Sequence, residues 1–236
     1  MATFISLTNL VLRRINEVTI DETEFLSAKN IQALAKDAVN IAIREILHDA
    51  QEWPFTLETE VQTCTVGTGV YSLPADASNV DWDSFYLKKL TATNNVPTKL
   101  EPISYTNYLL SYRPTEELSA ESGRTTPYFV YQTQDLKFGL TPIPDQAYEV
   151  EYKYWKYPSD LTASSDECII PDRFKDVIVD GAMMHLMLFR SNEQAFALYQ
   201  NRFQMGIRMM RRLLQDEPID ITSTYVHRPI YFPRLI

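Results

Sequence analysis

The chain is poor in the residues from which catalytic and metal sites are built. Only six glycines occur in 236 residues, and none belongs to a nucleotide-binding fingerprint or a GxSxG elbow. "VGTGVY" around Gly67 and Gly69 lacks the Lys-Ser/Thr pair of a phosphate loop and opens a strand rather than a helix, so it reads as a turn. The three histidines, His48, His185 and His227, have no second ligand-type residue at metal spacing; Asp49 adjoins His48, but helix neighbours do not face one ion. His185, on an apolar helix, reads as a core residue. Two cysteines, Cys64 and Cys168, lie far apart with no CxxC spacing and read as buried, reduced thiols. No stretch approaches the roughly 18 consecutive apolar residues of a membrane span, and "MATFISLTNLVLRRINE" has no basic start before its apolar stretch. Neither a membrane partner nor a cleaved leader is expected. Lys and Arg number 22 against 31 Asp and Glu, and the formal charge of −9 argues against a protein that grips nucleic acid over its whole surface. No catalytic, cofactor-binding or metal-ligating residue is assigned, and an enzyme is not expected.

What is present is the material of a sizeable core: 45% of residues are apolar and 22% charged. Phe4, Leu7, Leu10 with Val11, and Ile15 fall at helical spacing. A second helix carries Ile31, Leu34, Ala38, Ile41 and Ile46 on one stripe, its start marked by Asp21 with Glu24 or by the rival Ser27, and its end by "WPF" at 53–55. From Phe55 to Pro158 the pattern alternates, and "FTLETEVQTCTV", "VYSLP", "SFYLKKLTA", "PYFVYQ", "LKFGL" and "AYEVEYKYWKY" read as antiparallel strands, with a small helix near "ISYTNYLLSY". "RPTEELSAESGRTTP" (113–127) is polar and acidic, and reads as an exposed, mobile loop. After Pro158 the helical period returns. Val177 to Phe189 are apolar on almost every side, as a central helix requires; "SNEQ" at 191–194 has capping-box form, and Phe196, Tyr199, Phe203, Ile207, Met210 and Leu214 continue one face.

The expected fold is α+β. A discontinuous helical bundle is made by residues 1–53 and 166–217, with a β-rich sandwich or barrel inserted over 54–165 and an extended tail over 218–236. In the tail, Pro229 and Pro233 forbid a stable helix, yet Tyr225, Val226, Ile230, Tyr231, Phe232 and Leu235 are groups that water rejects. The tail reads as a strap lying on another surface. In "YEVEYKYWKYP", Tyr148, Tyr152 and Tyr154 share one strand face with Trp155 and Tyr157 on the other; sheet packing accounts for them, and a stacking platform for sugars or bases is the competing reading. Asp81 with Asp83, and Glu58 with Glu60, are same-face carboxylate pairs, the former the only basis for a hydrolase. Arg202, Arg208, Arg211 and Arg212 complement the dipole of the last helix or meet an acidic neighbouring subunit.

Several motifs occur in a telling order: an opening helix pair ending in "EWPF", the strand end "YSLPAD", the turn "TPIPD" before a Tyr-rich strand, and "DECIIPDRF" leading into the C-terminal helices. Over nearly its whole length the chain resembles the head-to-tail adaptors (connector or tail-tubular proteins) of tailed bacteriophages. The resemblance implies a virion structural protein at the head–tail junction, assembled in the host cytoplasm. It implies a ring, expected to hold about twelve copies, docked beneath the portal protein, attaching the tail or nozzle protein and extending the channel through which double-stranded DNA passes without sequence-specific binding. On this reading Tyr225, Arg228, Ile230, Tyr231, Phe232, Arg234 and Leu235 dock on the portal, and Arg202, Arg208, Arg211 and Arg212 lie between subunits. Glu116, Glu117 and Glu121 contact a tail component, and the acidic balance keeps DNA sliding. The competing function is a carbohydrate-binding β module on a helical scaffold, using Tyr152, Tyr154 and Trp155.

Overall fold

The computed structural model describes residues 1–50, 52–89, 96–119, 121–135 and 137–214. Helices α1 (Phe4–Arg14) and α2 (Ile31–Asp49) lead into strands β1 (Leu57–Cys64), β2 (Val70–Ser72), β3 (Ala77–Lys89), β4 (Thr98–Lys99) and β5 (Glu101–Ile103). A helical segment follows: α3 (Tyr105–Asn107), a π-helical turn (Tyr108–Tyr112) and α4 (Arg113–Ser119). Strands β6 (Phe129–Gln132), β7 (Lys137–Thr141) and β8 (Tyr148–Lys156) precede α5 (Lys175–Phe189) and α6 (Glu193–Leu214). The fold is α+β, with N- and C-terminal helices packed together and two sheets inserted between them in sequence.

The helical core forms because α5 is apolar on nearly all sides and packs against α1, α2 and α6 at once. Ile178, Val179, Ala182, Met183 and Leu186 are buried there with Leu7, Val11, Val39, Ala42, Phe203 and Met210. Gly181 permits the convergence: a Cβ at that position would lie 2.7 Å from the Phe203 ring and 2.9 Å from the Ala42 methyl. Trp53 closes α2 as "WPF" suggests, buried with its indole Nε1 donating to the Ile46 carbonyl at 2.8 Å. The start of α2 differs from expectation: it begins at Ile31, not at Asp21 or Ser27. The preceding Phe25 is drawn into the core edge-on to Phe4, centroids 5.1 Å apart, and Lys36 donates to its carbonyl at 2.9 Å. The chain must then turn at Asn30, which takes φ 54°. At α6 the capping group is Asn192, whose Oδ1 accepts from the Ala195 amide at 3.1 Å, while Ser191 takes φ 54° in the turn.

The β lobe has a separate core. One sheet runs β1-β8-β3-β4 and the other β2-β7-β6-β5. Alternation along β8 sends Tyr148, Val150, Tyr152 and Tyr154 inward, where they meet Phe85 and Leu87 of β3 and Val130, Phe138 and Leu140 of the second sheet. The pairing is not wholly antiparallel: β5 pairs parallel to β6. A parallel pair needs a crossover, and the helical segment from Tyr105 to Ser119 supplies it. Tyr131 on β6 points outward beneath this segment and stacks on Tyr108 with centroids 3.9 Å apart. Its ring covers Gly139 across the ladder; a Cβ there would stand 2.2 Å from the ring.

The same segment corrects the reading of 113–127 as one exposed loop. Arg113–Ser119 is helical, and Glu116 anchors it: Thr141 Oγ1 donates to Glu116 Oε1 at 2.6 Å and the Tyr108 hydroxyl donates to Oε2 at 3.1 Å. Two bonds from different strand and helix positions fix a segment whose composition alone favours a loop.

Candidate functional site

The groups that could carry reaction chemistry are dispersed and occupied structurally. Cys64 sits in the β core and Cys168 in the helical core, so the two cannot pair, and burial pushes both thiols up to about 11. His48 Nε2 lies 3.2 Å from the Tyr157 hydroxyl. His185 is less buried than expected of a core histidine: its side chain is 22% exposed, with Nε2 3.1 Å from Glu45 Oε1. His227 lies outside the described residues. Asp81 and Asp83 sit where β3 breaks register with β8; Asp81 Oδ1 accepts from the Asp83 amide at 3.1 Å, and Asp83 faces Lys99 Nζ at 3.6 Å. They shape a bulge. Glu58 pairs with Lys156 across β1 and β8. Among the described residues no group of three His, Cys, Asp or Glu is placed to hold a metal ion.

The aromatic run is packing material. Tyr148, Tyr152 and Tyr154 are buried, Tyr152 stacking on Phe85 with centroids 4.7 Å apart and planes 5° from parallel. Burial holds the Tyr152 phenol well above its ordinary pKa. A sugar ring cannot reach Tyr152 or Tyr154, which removes two of the three aromatics of a carbohydrate module; Trp155, on the outer face, is half-buried.

The four arginines of α6 divide into two kinds. Arg202 Nε lies 3.2 Å from Asp180 Oδ2, and Arg211 Nη2 lies 2.7 Å from Asp49 Oδ2, so both bond within their own chain. Arg208 and Arg212 are exposed and pair with no carboxylate among the described residues. Asp180 is a residue that sequence reasoning passed over. Buried in the middle of α5, it also takes Arg14 of α1, whose other terminal nitrogen lies 3.0 Å from Asp176. One carboxylate thus ties three helices. The visible signal was an acidic residue inside "DVIVDGAMMHLML", a run apolar all round.

The three acids assigned to a tail-contacting loop are not equivalent. Glu116 is half-buried and bonded as above, Glu117 accepts from Arg113 at 2.7 Å on exposed α4, and Glu121 is exposed, 3.7 Å from Arg124. Tyr225, Arg228, Ile230, Tyr231, Phe232, Arg234 and Leu235 lie outside the described residues.

These surfaces belong to a fold of two lobes without an assembled reaction centre among the described residues, and one comparison decides what such a chain is. Residues 2–227 match the family model of the SU10 adaptor protein. The chain belongs to the SU10 adaptor protein family. It is a phage head-to-tail adaptor and a structural protein of the virion, in a family not known to be catalytic. An adaptor binds other phage structural proteins. No curated protein matches the adaptor. The family match includes Tyr225 and stops before Arg228, so the last aromatic residues lie beyond it.

Proposed function

We propose that the adaptor assembles as a ring, of about twelve copies, that docks beneath the portal protein, prolongs the DNA channel and attaches the tail or nozzle protein. The observation that carries this reading is the family match over residues 2–227, which spans the whole two-lobed fold. Assignment of the lobes follows from their surfaces: the helical lobe carries the outward Arg208 and Arg212 for a neighbouring copy, and the β lobe presents Glu117 and Glu121 for a tail component. The tail over 218–236 is the portal strap, with Ile230, Tyr231, Phe232 and Leu235 packed on the portal and Arg228 and Arg234 paired with its acids. A formal charge of −9 per copy repels phosphates from the ring's bore and lets DNA slide.

Deletion of residues 218–236 tests the strap. The truncated adaptor should keep the helical circular dichroism and urea midpoint of the full chain, because the core residues described in the helical lobe all lie at or before Leu214. Its binding to purified portal rings should fall at least about a hundredfold, the loss expected when several buried apolar anchors go together. Portal binding equal to that of the full chain would overturn the assignment.

A further inference from the structure

The outermost helix of the bundle is apolar on two faces. Phe203, Ile207 and Met210 of α6 point into the core. A second stripe at helical spacing, Leu198, Met205, Met209 and Leu213, faces away from it, each residue between 53% and 61% exposed. The helix on an outer layer should be polar there; a stripe of Leu and Met, unbroken from Met205 to Leu213, marks a surface built to be covered. Arg202, bonded to Asp180, sits within the stripe between Leu198 and Met205, and Arg208 and Arg212 flank it without carboxylate partners among the described residues.

The complementary surface lies on the connection between α1 and α2. Val18 is 77% and Leu26 81% exposed, and between them Asp21, Glu22 and Glu24 are exposed with no cation paired to their side chains among the described residues. Arg13 and Lys175 line the same groove as Asp21, Glu22 and Asp172, which leaves it acidic on balance. Within one copy no ion pair joins the two surfaces among the described residues. Glu17 bonds Arg190 at 2.9 Å beside the α5–α6 turn, and from there the connection runs back to place Asp21 and Glu22 in a groove with Asp172 and Lys175 at the start of α5, whereas Arg208 lies fifteen residues up α6 from Glu193, about 22 Å along the axis. Arg211, bonded to Asp49, places that far end of α6 beside the end of α2 instead.

We propose that the outward face of α6 receives the α1–α2 connection of a neighbouring copy, Val18 and Leu26 packing on the methionine stripe and Asp21, Glu22 and Glu24 pairing with Arg208 and Arg212. The proposal rests on the ring reading and names the contact that builds the ring. Two different surfaces meet, so the contact is head-to-tail, and a growing arc keeps one unfilled face of each kind, one at either end, until the circle closes. Opposite charges in the contact offset the repulsion between copies that each carry −9.

The test uses phage particles carrying cysteine substitutions, since burial makes Cys64 and Cys168 poor competitors for oxidation. Particles with both Met209→Cys and Leu26→Cys should yield, on mild oxidation, a ladder of disulfide-linked multimers, and particles with either substitution alone should yield none. Arg208→Glu with Arg212→Glu should lower incorporation of the adaptor to about a tenth or less, and Asp21→Lys with Glu22→Lys in the same chain should restore it. A Met209→Cys dimer without Leu26→Cys would overturn the head-to-tail contact. So would a link within one chain between Met209→Cys and Tyr231→Cys, which would show the stripe covered by the adaptor's own C-terminal segment. A ring that forms without linking, and is indifferent to charge reversal, would overturn this interface and leave the ring reading standing; adaptor present in particles only as isolated copies would overturn the ring reading itself.

Discussion

Tyr152 shows how much a single side chain decides about function. Its ring is fully used, stacked on Phe85 and tilted against Phe138, and its hydroxyl is buried with no hydrogen-bond partner among the described residues. A buried, unpaired hydroxyl loses its water contacts and gains nothing in return. Tyr152→Phe should therefore stabilise the adaptor by about 1 kcal/mol, read as a higher urea midpoint at unchanged slope. A drop in the midpoint would mean that the hydroxyl has a partner and that the strand face serves more than packing. The aromatic run was legible in the sequence as a strand with three tyrosines on one face. Which of packing or stacking platform applied was not, because alternation fixes the face but not what lies above it; the opposing Phe138 and Val130 come from a strand pair distant in sequence.

Among the elements, α5 is the axis of the helical lobe, and Asp180 is the point at which α1 and α6 are both fastened to it. Asp180→Asn keeps the shape and removes the charge that holds Arg14 and Arg202. The expected cost is about 2 kcal/mol in urea unfolding, less than for a fully buried pair because both arginines keep contact with water. An unchanged midpoint would show that the helices are held by apolar packing alone. The four long helices and most strands could be read from periodicity, since 3.6-residue and two-residue spacings switch cleanly near Trp53 and again after Pro158. The elements that could not be read are those set by distant contacts. The start of α2 is displaced by burial of Phe25 on Phe4, and α4 is held by Glu116 bonding Thr141. The parallel pairing of β5 was hidden because three residues containing Pro102 carry no register signal of their own.

For the whole molecule, function resides in how surfaces are distributed over two lobes, and sequence composition anticipates only part of that. Paucity of glycine and histidine pointed away from catalysis, and motif order pointed to a head-to-tail adaptor, the family to which the chain belongs. The set of four α6 arginines was legible as a group, but its division into two members bonded within the chain and two without a carboxylate partner among the described residues depends on the positions of Asp180 and Asp49 in space. The outward methionine stripe lay in the same helical pattern as the core stripe and was concealed by it. The central claim, a ring docked on the portal, is tested most directly by imaging the adaptor mixed with its portal protein in the electron microscope. The account predicts an added ring sharing the portal's axis, with neighbouring helical lobes touching around it; portal particles that stay bare, or that bind single adaptors without rotational symmetry, would contradict it.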